Sequence, residues 1–340
     1  MTTKRNAATL IPAAPQSAAP AARRRRLAGA LALGAALAAA GVLAGAGHAA
    51  PAGAAVLTNC AAKPSACGYP DATDTGVPAG TTLKAVPGQV SSGPGWAYSA
   101  ATGTVEVTGN GAVLAGLSIP CNLDIAASNV TIKDDQVTAS GNFGISLRHT
   151  TGVTIEDSTI SGTNATTGRV GSAIDDIYGD STAITITADN IYSFKTGIQV
   201  QTGLITGNYL HDPGYIAGDH TNGFFINGGT EPMTIDDNTV FDSLNQTDAI
   251  SLDASAAGTA VANKTIEGNF LAGGSYTIYG GDSLGNTITS ILIENNRFGQ
   301  NYYTASGQYG PVAYFTTAGT GGNIWSGNFY DTTGTTIPAM

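Results

Sequence analysis

One six-residue pattern of apolar and polar positions recurs eight times between Ile132 and the C-terminus. Its form is Ile-x-x-(Asn/Asp/Ser)-x-apolar, and Trp replaces Ile in the last copy. The copies begin at Ile132, Ile155, Ile186, Ile205, Ile235, Ile266, Ile293 and Trp325. Their starts are 23, 31, 19, 30, 31, 27 and 32 residues apart. Repeats of this length, each with a short apolar segment and a polar turn, are typical of a solenoid of stacked units.

A second pattern, a small residue followed by alternating apolar positions, lies between the copies. It occurs in the segments 144–147, 197–200, 223–226 and 249–252. Alternation with a period of two predicts strands. Two strand signals per repeat and no helical periodicity predict an all-β fold, a single-stranded right-handed parallel β-helix of about eight to ten coils. The two-residue turns of antiparallel barrels and sandwiches are scarce in this sequence.

The polar position of the six-residue pattern predicts the corners of the coils. Asn tolerates a left-handed backbone, and its amide can bond the equivalent Asn one coil away. We therefore expect a structural rather than a chemical role for these asparagines, which are Asn208, Asn238, Asn269, Asn296 and Asn328.

The alternation also predicts which side chains point outward from the second strand of each coil. They should line one shallow groove and are Ser146, Asp175, Gln199, Phe225, Ser251, Thr277 and Ala313. Asp175, Gln199 and Phe225 are candidates for substrate binding. The same alignment turns Asp176 inward, so either the register shifts by one residue there or the carboxyl group is buried with a raised pKa. The cost of burying a lone carboxylate favours the shift.

Residues 1–49 have the composition of an export signal. Four arginines, Arg23 to Arg26, precede an Ala/Leu/Gly-rich stretch that ends in small residues. This pattern predicts a signal peptide cleaved after Ala49; Sec export is favoured, although the arginine pair also fits twin-arginine export. The apolar stretch is nearly long enough for a membrane anchor, but its small residues favour cleavage. We expect a secreted, extracellular protein.

The mature chain divides into two parts. Residues 50–103 are a Pro/Gly-rich lead-in, and residues 104–340 form the β-helix. Cys60 and Cys67 bracket a short loop, and in an exported protein this spacing predicts a disulfide. We expect this loop, together with Trp96 and Tyr98, to form a cap over the N-terminal end of the solenoid.

Charge restricts the partners of the mature protein. Removal of residues 1–49 leaves eight Lys and Arg against 24 Asp and Glu, a net charge of −16. A field of this sign disfavours nucleic acid and anionic membrane surfaces. We expect a monomer whose partner is an extracellular polysaccharide, with no membrane contact after signal cleavage.

The densest polar cluster lies in the segment 211–223, which lengthens its repeat. His211, Asp219, His220 and Asn222 fall in it. Long loops on solenoids often carry the site, and these side chains could orient a sugar, bind a metal or supply a general base. A well-bonded turn has the same Asp, Asn, Gly and Pro content, and this alternative stays open.

The neighbouring coils add further candidates. Asp248 is equivalent to Asn222 one coil on, Asp253 follows that strand, and Lys195 lies one coil before. Coils are about 4.8 Å apart, so these side chains can meet. Asp219 and Asp248 form a predicted carboxylate pair for acid–base catalysis or Ca²⁺ binding. His220 or Lys195 is the expected base, although a surface lysine such as Lys195 is by default only solvated. The expected substrate contacts are Asn222, Asp253 and His211.

Three segments, 68–82, 211–223 and 246–250, resemble the pectate-lyase-like superfamily of right-handed β-helix proteins, and within it a group of secreted actinobacterial proteins of mostly undefined activity. The resemblance implies a polysaccharide lyase that acts on an acidic glycan with Ca²⁺-binding aspartates and a catalytic Arg or Lys. Arg148, which follows a strand of the groove, is the best candidate for such an arginine. The Gly-His-Gly segment of polygalacturonase-like relatives is missing. A non-catalytic glycan-binding or cell-surface module and a glycoside hydrolase with paired aspartates remain alternatives.

Overall fold

The computed structural model describes residues 60–254, 259–281, 287–319 and 321–338. Within these residues the chain forms thirty short strands and one turn of 3-10 helix, Pro64–Cys67. No helix in the described part is both long and apolar enough to cross a membrane. The predicted signal peptide, residues 1–49, lies outside the described residues.

The strands form three sheets, which we number by strand count. Sheet 1 contains Ser92–Gly93, Trp96–Ser99, Thr104–Val107, Leu123–Ile125, Gly141–Leu147, Val170–Asp176, Phe194–Gln199, Asn222–Ile226, Asp248–Leu252, Tyr276–Tyr279 and Gly310–Ala313. Sheet 2 contains Lys84–Ala85, Leu117–Ile119, Gln136–Thr138, Thr159–Ser161, Asn190–Tyr192, Tyr209–His211, Thr239–Asp242, Phe270–Gly273, Arg297–Phe298 and Phe329–Tyr330. Sheet 3 contains Val113–Ala115, Thr131–Lys133, Thr154–Glu156, Thr185–Thr187, Gly203–Thr206, Met233–Asp236, Ala260–Glu267, Thr287–Glu294 and Ile324–Ser326.

Each coil passes from sheet 3 to sheet 2 to sheet 1, and equivalent strands of successive coils pair in parallel. Ile132 pairs with Ile155, and Ile155 with Ile186, in a register that continues through the later copies. These isoleucines are buried, so the repeated apolar position forms a continuous column inside the coils. The parallel β-helix expected from the repeat is confirmed.

Hydrogen bonds between coils hold the corners from sheet 3 to sheet 2. The backbone N–H of Asn208 donates to Oδ1 of Asn238 at 3.0 Å, and Asn238 donates in the same way to Asn269 at 2.9 Å. The side-chain amides of Asn208 and Asn238 also donate to backbone carbonyls of sheet 3, at 3.0 Å each. The structural role expected for these asparagines agrees with these contacts.

The left-handed residue at each corner is not the one that we expected. It precedes the ladder residue, as at Asp237 (φ 52°) before Asn238 and Asn295 (φ 55°) before Asn296. The ladder side chain is fully buried and keeps its own N–H in the ladder, so the reversal falls on the more exposed residue before it.

Two details of the groove strands also differ from expectation. No register shift occurs at Asp176, because Ser146 pairs with Asp175 and Leu147 with Asp176. The Asp176 carboxylate is buried and accepts hydrogen bonds from the hydroxyl and N–H of Ser181, at 2.8 and 3.0 Å. These bonds replace those of water and make the inward position tolerable.

The second difference lies one strand from the end of sheet 1. Tyr279, and not Thr277, pairs with Ser251 and with Ala313. Thr277 is buried and bonds the hydroxyl of Ser306 at 2.8 Å. The predicted outward column therefore holds a tyrosine where the sequence alignment placed a threonine.

Within the predicted lead-in, we call residues 60–83 the lead-in segment. This segment begins beside the last coil. The N–H of Cys60 points at both carboxylate oxygens of Asp331, at 3.5 and 3.3 Å. Tyr69 packs on Phe270 with ring centroids 5.3 Å apart, and the guanidinium of Arg297 lies 5.8 Å from the Tyr69 ring centroid. Arg297 is also ion-paired with the buried Asp331 at 2.5 Å.

From there the lead-in segment crosses the outside of sheet 2 toward the first coil. Gly76 donates its N–H to the carbonyl of Ala188 at 2.8 Å, and Val77 donates to the hydroxyl of Thr159 at 3.2 Å. Lys84–Ala85 then pairs with Leu117–Ile119 as the first strand of sheet 2.

The N-terminal cap is therefore only partly as expected. The Cys60–Cys67 disulfide is present, with a Cα–Cα distance of 5.8 Å, but it contacts the last coils instead of the first. The first coil is covered by Trp96–Ser99, which pairs antiparallel with Thr104–Val107 and buries Trp96. Cys60 reaches the far end because the lead-in segment runs along the whole of sheet 2.

Candidate functional site

A cleft of about 380 Å³ opens on the outer face of sheet 1. Seven of the predicted catalytic and substrate-binding residues line it: Lys195, Gln199, His220, Asn222, Phe225, Asp248 and Asp253. The remaining lining residues are Thr196, Thr247, Ser251 and Tyr279. Tyr279 was missed because the alignment put Thr277 in its column; the correct register of that strand would have found it.

Strand register brings the lining residues together from successive coils. Thr196 pairs with Asn222, and Asn222 pairs with Asp248, so these three form one column across the cleft. The hydroxyl of Thr247 donates to Oδ1 of Asn222 at 2.9 Å and fixes that amide. The polar groups of the cleft are therefore held by rigid strands.

Asp248 is a buried carboxyl group at the edge of the cleft. Burial, opposed by hydrogen bonds from the Tyr276 N–H and the Ser251 hydroxyl, raises the pKa of Asp248 to about 7. Behind it, burial raises the pKa of Asp242 to about 8, and the charge of Asp248 adds to the effect. At neutral pH Asp248 can therefore carry a proton to a ligand.

His220 reaches the cleft from the loop 212–221. This loop is tied to the second coil before it, because Tyr215 donates its N–H to the carbonyl of Ala165 at 2.8 Å. Arg169 also donates two hydrogen bonds of 2.6 Å to the Asp219 carboxylate. Burial raises the pKa of Asp219, but the hydrogen bonds of Arg169 and Ile216 outweigh it and lower that pKa overall. Arg169 was not among the candidates.

Four predicted site residues do not line the cleft. Asp219 is held by Arg169, and Arg148 donates to Asp124 at 2.6 Å. His211 lies on sheet 2, where it stacks on Tyr209 with ring centroids 4.1 Å apart. Its ring nitrogens bond Asp212 at 2.7 Å and Asn190 at 2.9 Å.

The fourth, Asp175, lies next to the cleft, since it pairs with Gln199. Burial raises the pKa of Asp175, and the charge of Asp176 adds to this, while the Ser172 hydroxyl and the charge of Lys195 oppose it. The positive charge of Lys195 therefore acts at the side of the cleft nearest Asp175.

The predicted Ca²⁺ site does not fit the geometry. Ca²⁺ takes six to eight oxygen ligands, and both oxygens of Asp219 are engaged by Arg169. The described residues contain no group of three or more His, Cys, Asp or Glu side chains placed to hold a metal ion. Asp219 is held by Arg169 outside the cleft lining, whereas Asp248 lines the cleft.

Comparisons with known proteins leave the site to be interpreted from its own geometry. No family model matches the chain, and no curated protein matches it at a significant level.

Proposed function

We propose that this chain is a secreted polysaccharide lyase of the pectate-lyase-like kind that cleaves a uronic-acid-containing glycan in the cleft on sheet 1. The observation that carries the proposal is the convergence of Lys195, His220 and Asp248 on one cleft. β-Elimination needs a base, an acid and a positive charge, and these three side chains supply one of each.

The steps follow from the chemistry of each side chain. Lys195 neutralises the uronate carboxylate, which makes the C5 proton acidic. His220 removes that proton, the bond from C4 to the glycosidic oxygen breaks, and a C4–C5 double bond forms. Asp248 protonates the departing oxygen, a role that suits a carboxyl group whose pKa is about 7. Asn222 and Gln199 are placed to orient sugar hydroxyls.

The hydrolase alternative is weaker. Glycosidases use two carboxyl groups about 5–10 Å apart. The second carboxylate in the cleft lining, Asp253, comes directly after the five-residue strand that Asp248 begins, so their Cα atoms are about 16 Å apart. A glycan-binding module without catalysis is favoured only by the aromatic lining of Phe225 and Tyr279.

Absorbance of unsaturated uronates tests the proposal on polygalacturonate, alginate and hyaluronan, each with and without Ca²⁺. We expect absorbance to rise with the native protein and to be lost in His220→Ala and Asp248→Asn. His149→Ala is the matched control, because His149 is an exposed histidine that pairs with Asp180 outside the cleft. Reducing sugar without absorbance would indicate a hydrolase, and binding without cleavage would indicate a module.

A further inference from the structure

Toward the last coils, four tyrosines follow the cleft residues on sheet 1, and one of them, Tyr279, also lines the cleft. Register pairs Asp248 with Tyr276 and Ser251 with Tyr279. Tyr309 and Tyr314 flank the next strand, Gly310–Ala313. We call these four residues the tyrosine surface; it continues the cleft in the direction of coil stacking.

The rings of the tyrosine surface form two pairs. Tyr276 and Tyr309 have centroids 6.0 Å apart, and Tyr279 and Tyr314 have centroids 5.0 Å apart. Tyr309 is 66% exposed and Tyr314 is 53% exposed. Single exposed aromatics are ordinary, but two exposed rings paired with inner rings beside a cleft form a contiguous surface. Tyr314 also has a left-handed backbone (φ 51°), which is uncommon for a non-glycine residue.

On the other side of the cleft, the same sheet is acidic. The outward column that leads away from Gln199 runs through Asp175, Ser146, Asp124 and Glu106. Arg148 pairs with Asp124 and offsets one of these charges. The two strands on the side toward the last coils, Tyr276–Tyr279 and Gly310–Ala313, contain no charged residue. Along the described strands, the side of the cleft toward the first coils is therefore the more acidic one, and an anionic glycan is repelled less on the side toward the last coils.

We propose that the tyrosine surface is a binding site for the part of the glycan that leaves the cleft toward the last coils. Sugar rings present apolar C–H faces, and exposed tyrosine rings stack on such faces while their hydroxyls bond water or sugar. Successive coils rise by about 4.8 Å, close to the length of one pyranose unit in an extended glycan. This inference rests on the proposed function, since it takes the cleft as the place of cleavage.

Affinity gel electrophoresis with polygalacturonate, alginate or hyaluronan in the gel tests the site. At least one polysaccharide should retard the native protein, and the double variant Tyr309→Ala/Tyr314→Ala should raise the dissociation constant at least about tenfold. Tyr309→Phe/Tyr314→Phe, which keeps the rings, should bind within about threefold of the native protein. Tyr178→Ala is the matched control, because Tyr178 is 54% exposed and stacks on His149 outside the cleft.

The proposal is overturned if no polysaccharide retards the native protein, or if Tyr178→Ala weakens binding as much as the double variant does. It is also overturned if sedimentation velocity shows a native dimer that the double variant abolishes, since the tyrosines would then contact a second copy. Thermal melting of the double variant at the native temperature shows that its fold is intact. If the native protein binds through the tyrosines but cleaves no polysaccharide, the proposed lyase function is wrong and the tyrosine binding site is supported. If the protein cleaves a polysaccharide and the tyrosine substitutions do not change binding, the lyase function is supported and the tyrosine binding site is wrong.

Discussion

Arg169 holds Asp219 through two hydrogen bonds of 2.6 Å, from Nε to Oδ2 and from Nη2 to Oδ1. The two side chains are only 16% and 11% exposed, so solvent screens the pair weakly. Asp219 precedes His220 directly, and the pair therefore fixes the end of the loop that brings this histidine to the cleft.

Arg169→Gln should free the loop 212–221. We expect about 2–3 kcal/mol less stability for the loop, because one member of a weakly solvated ion pair loses its partner. Limited proteolysis should show new cleavage within residues 212–221, and kcat on the lyase substrate should fall more than KM rises. Arg148→Gln removes an ion pair of similar length that lies outside the cleft, and it should leave both readouts unchanged. If the protease does not cut the loop in Arg169→Gln, the ion pair does not hold this loop in place.

Asp189→Asn should stabilise the protein. Asp189 occupies the corner ladder, is fully buried, and its Oδ2 has no hydrogen-bond partner among the described residues. The asparagines at equivalent corners donate from this position to carbonyl oxygens. An amide at position 189 should therefore add about 1–3 kcal/mol to the free energy of unfolding in urea.

The reverse change serves as the control for this corner. Asn238→Asp places a carboxylate oxygen where the amide of Asn238 now donates to the carbonyls of Ile205 and Asp236, at 3.0 Å each. It should destabilise the protein by a similar amount. If both substitutions shift the unfolding midpoint in the same direction, the ladder does not discriminate amide from carboxyl.

Stability should fall as pH rises from about 4 toward 8. Burial raises the pKa of Asp135 to about 7 and, as described above, that of Asp248 to about 7 and of Asp242 to about 8. Because these values exceed the value of about 3.9 for an unfolded Asp, the folded state binds more protons across this window. The free energy of unfolding should therefore be at least about 2 kcal/mol larger at pH 5 than at pH 8.

Above about pH 8, Lys264 changes the stability of the protein in the opposite direction. Burial lowers its pKa to about 8, while its ammonium donates to the carbonyls of Gln201 and Glu231 at 2.7 and 2.6 Å. The unfolded state then binds more protons above pH 8, so stability should rise again and its minimum should lie near pH 8. Asp135→Asn should reduce the slope on the acid side. A stability that increases steadily from pH 5 to pH 8 would refute the assignment of these groups.

Lyase activity should decline above about pH 7, because Asp248 then loses the proton that it gives to the departing oxygen. The decline of kcat above about pH 7 should appear in the native protein and also in Asp253→Asn, which changes the other carboxylate in the cleft lining. A rate that still climbs at about pH 8.5 would show that Asp248 is not the acid.

Gly76→Ala should disturb the contact of the lead-in segment with sheet 2. Gly76 has φ +77°, and a Cβ atom there would lie 2.7 Å from both Asn190 Cβ and Thr159 Oγ1. Gly80 has a similar φ of +88° but nothing within 4 Å of the added atom. Both substitutions cost about 1–2 kcal/mol from the backbone, and Gly76→Ala should cost about 1–3 kcal/mol more in denaturant unfolding. If the two substitutions lower the free energy of unfolding equally, the contact of the lead-in segment with sheet 2 does not contribute to stability.

The fold was predictable because a corner residue recurs in all eight copies and a buried isoleucine in seven of them, and parallel stacking forces equivalent positions into register. The same alignment placed most of the predicted cleft residues, whereas His220 was predicted from the polar segment 211–223 that lengthens its repeat. The errors arose where the repeat is imperfect. Asp176 ends its strand beside Ser181, whose hydroxyl and N–H make an inward carboxylate tolerable, and this partner is not visible in the repeat.

Long-range contacts could not be predicted from the repeat. Arg169 and Asp219 are 50 residues apart, and Cys60 and Asp331 are 271 residues apart. No local pattern specifies either pair. The sequence therefore predicted the surface on which the cleft lies, but not the ion pair that positions His220 or the coil to which the disulfide is attached.

In most solenoids a coil can be gained or lost without consequence for distant coils, because each touches only its neighbours. Here the lead-in segment contacts Asp331 at one end of sheet 2, and the strand that follows it, Lys84–Ala85, pairs with Leu117–Ile119 at the other end. Deleting one coil would shorten the stack by about 4.8 Å and leave one of these attachments out of reach or out of register. The lead-in segment therefore acts as a ruler that fixes the number of coils, and it makes the two ends unfold together instead of fraying separately.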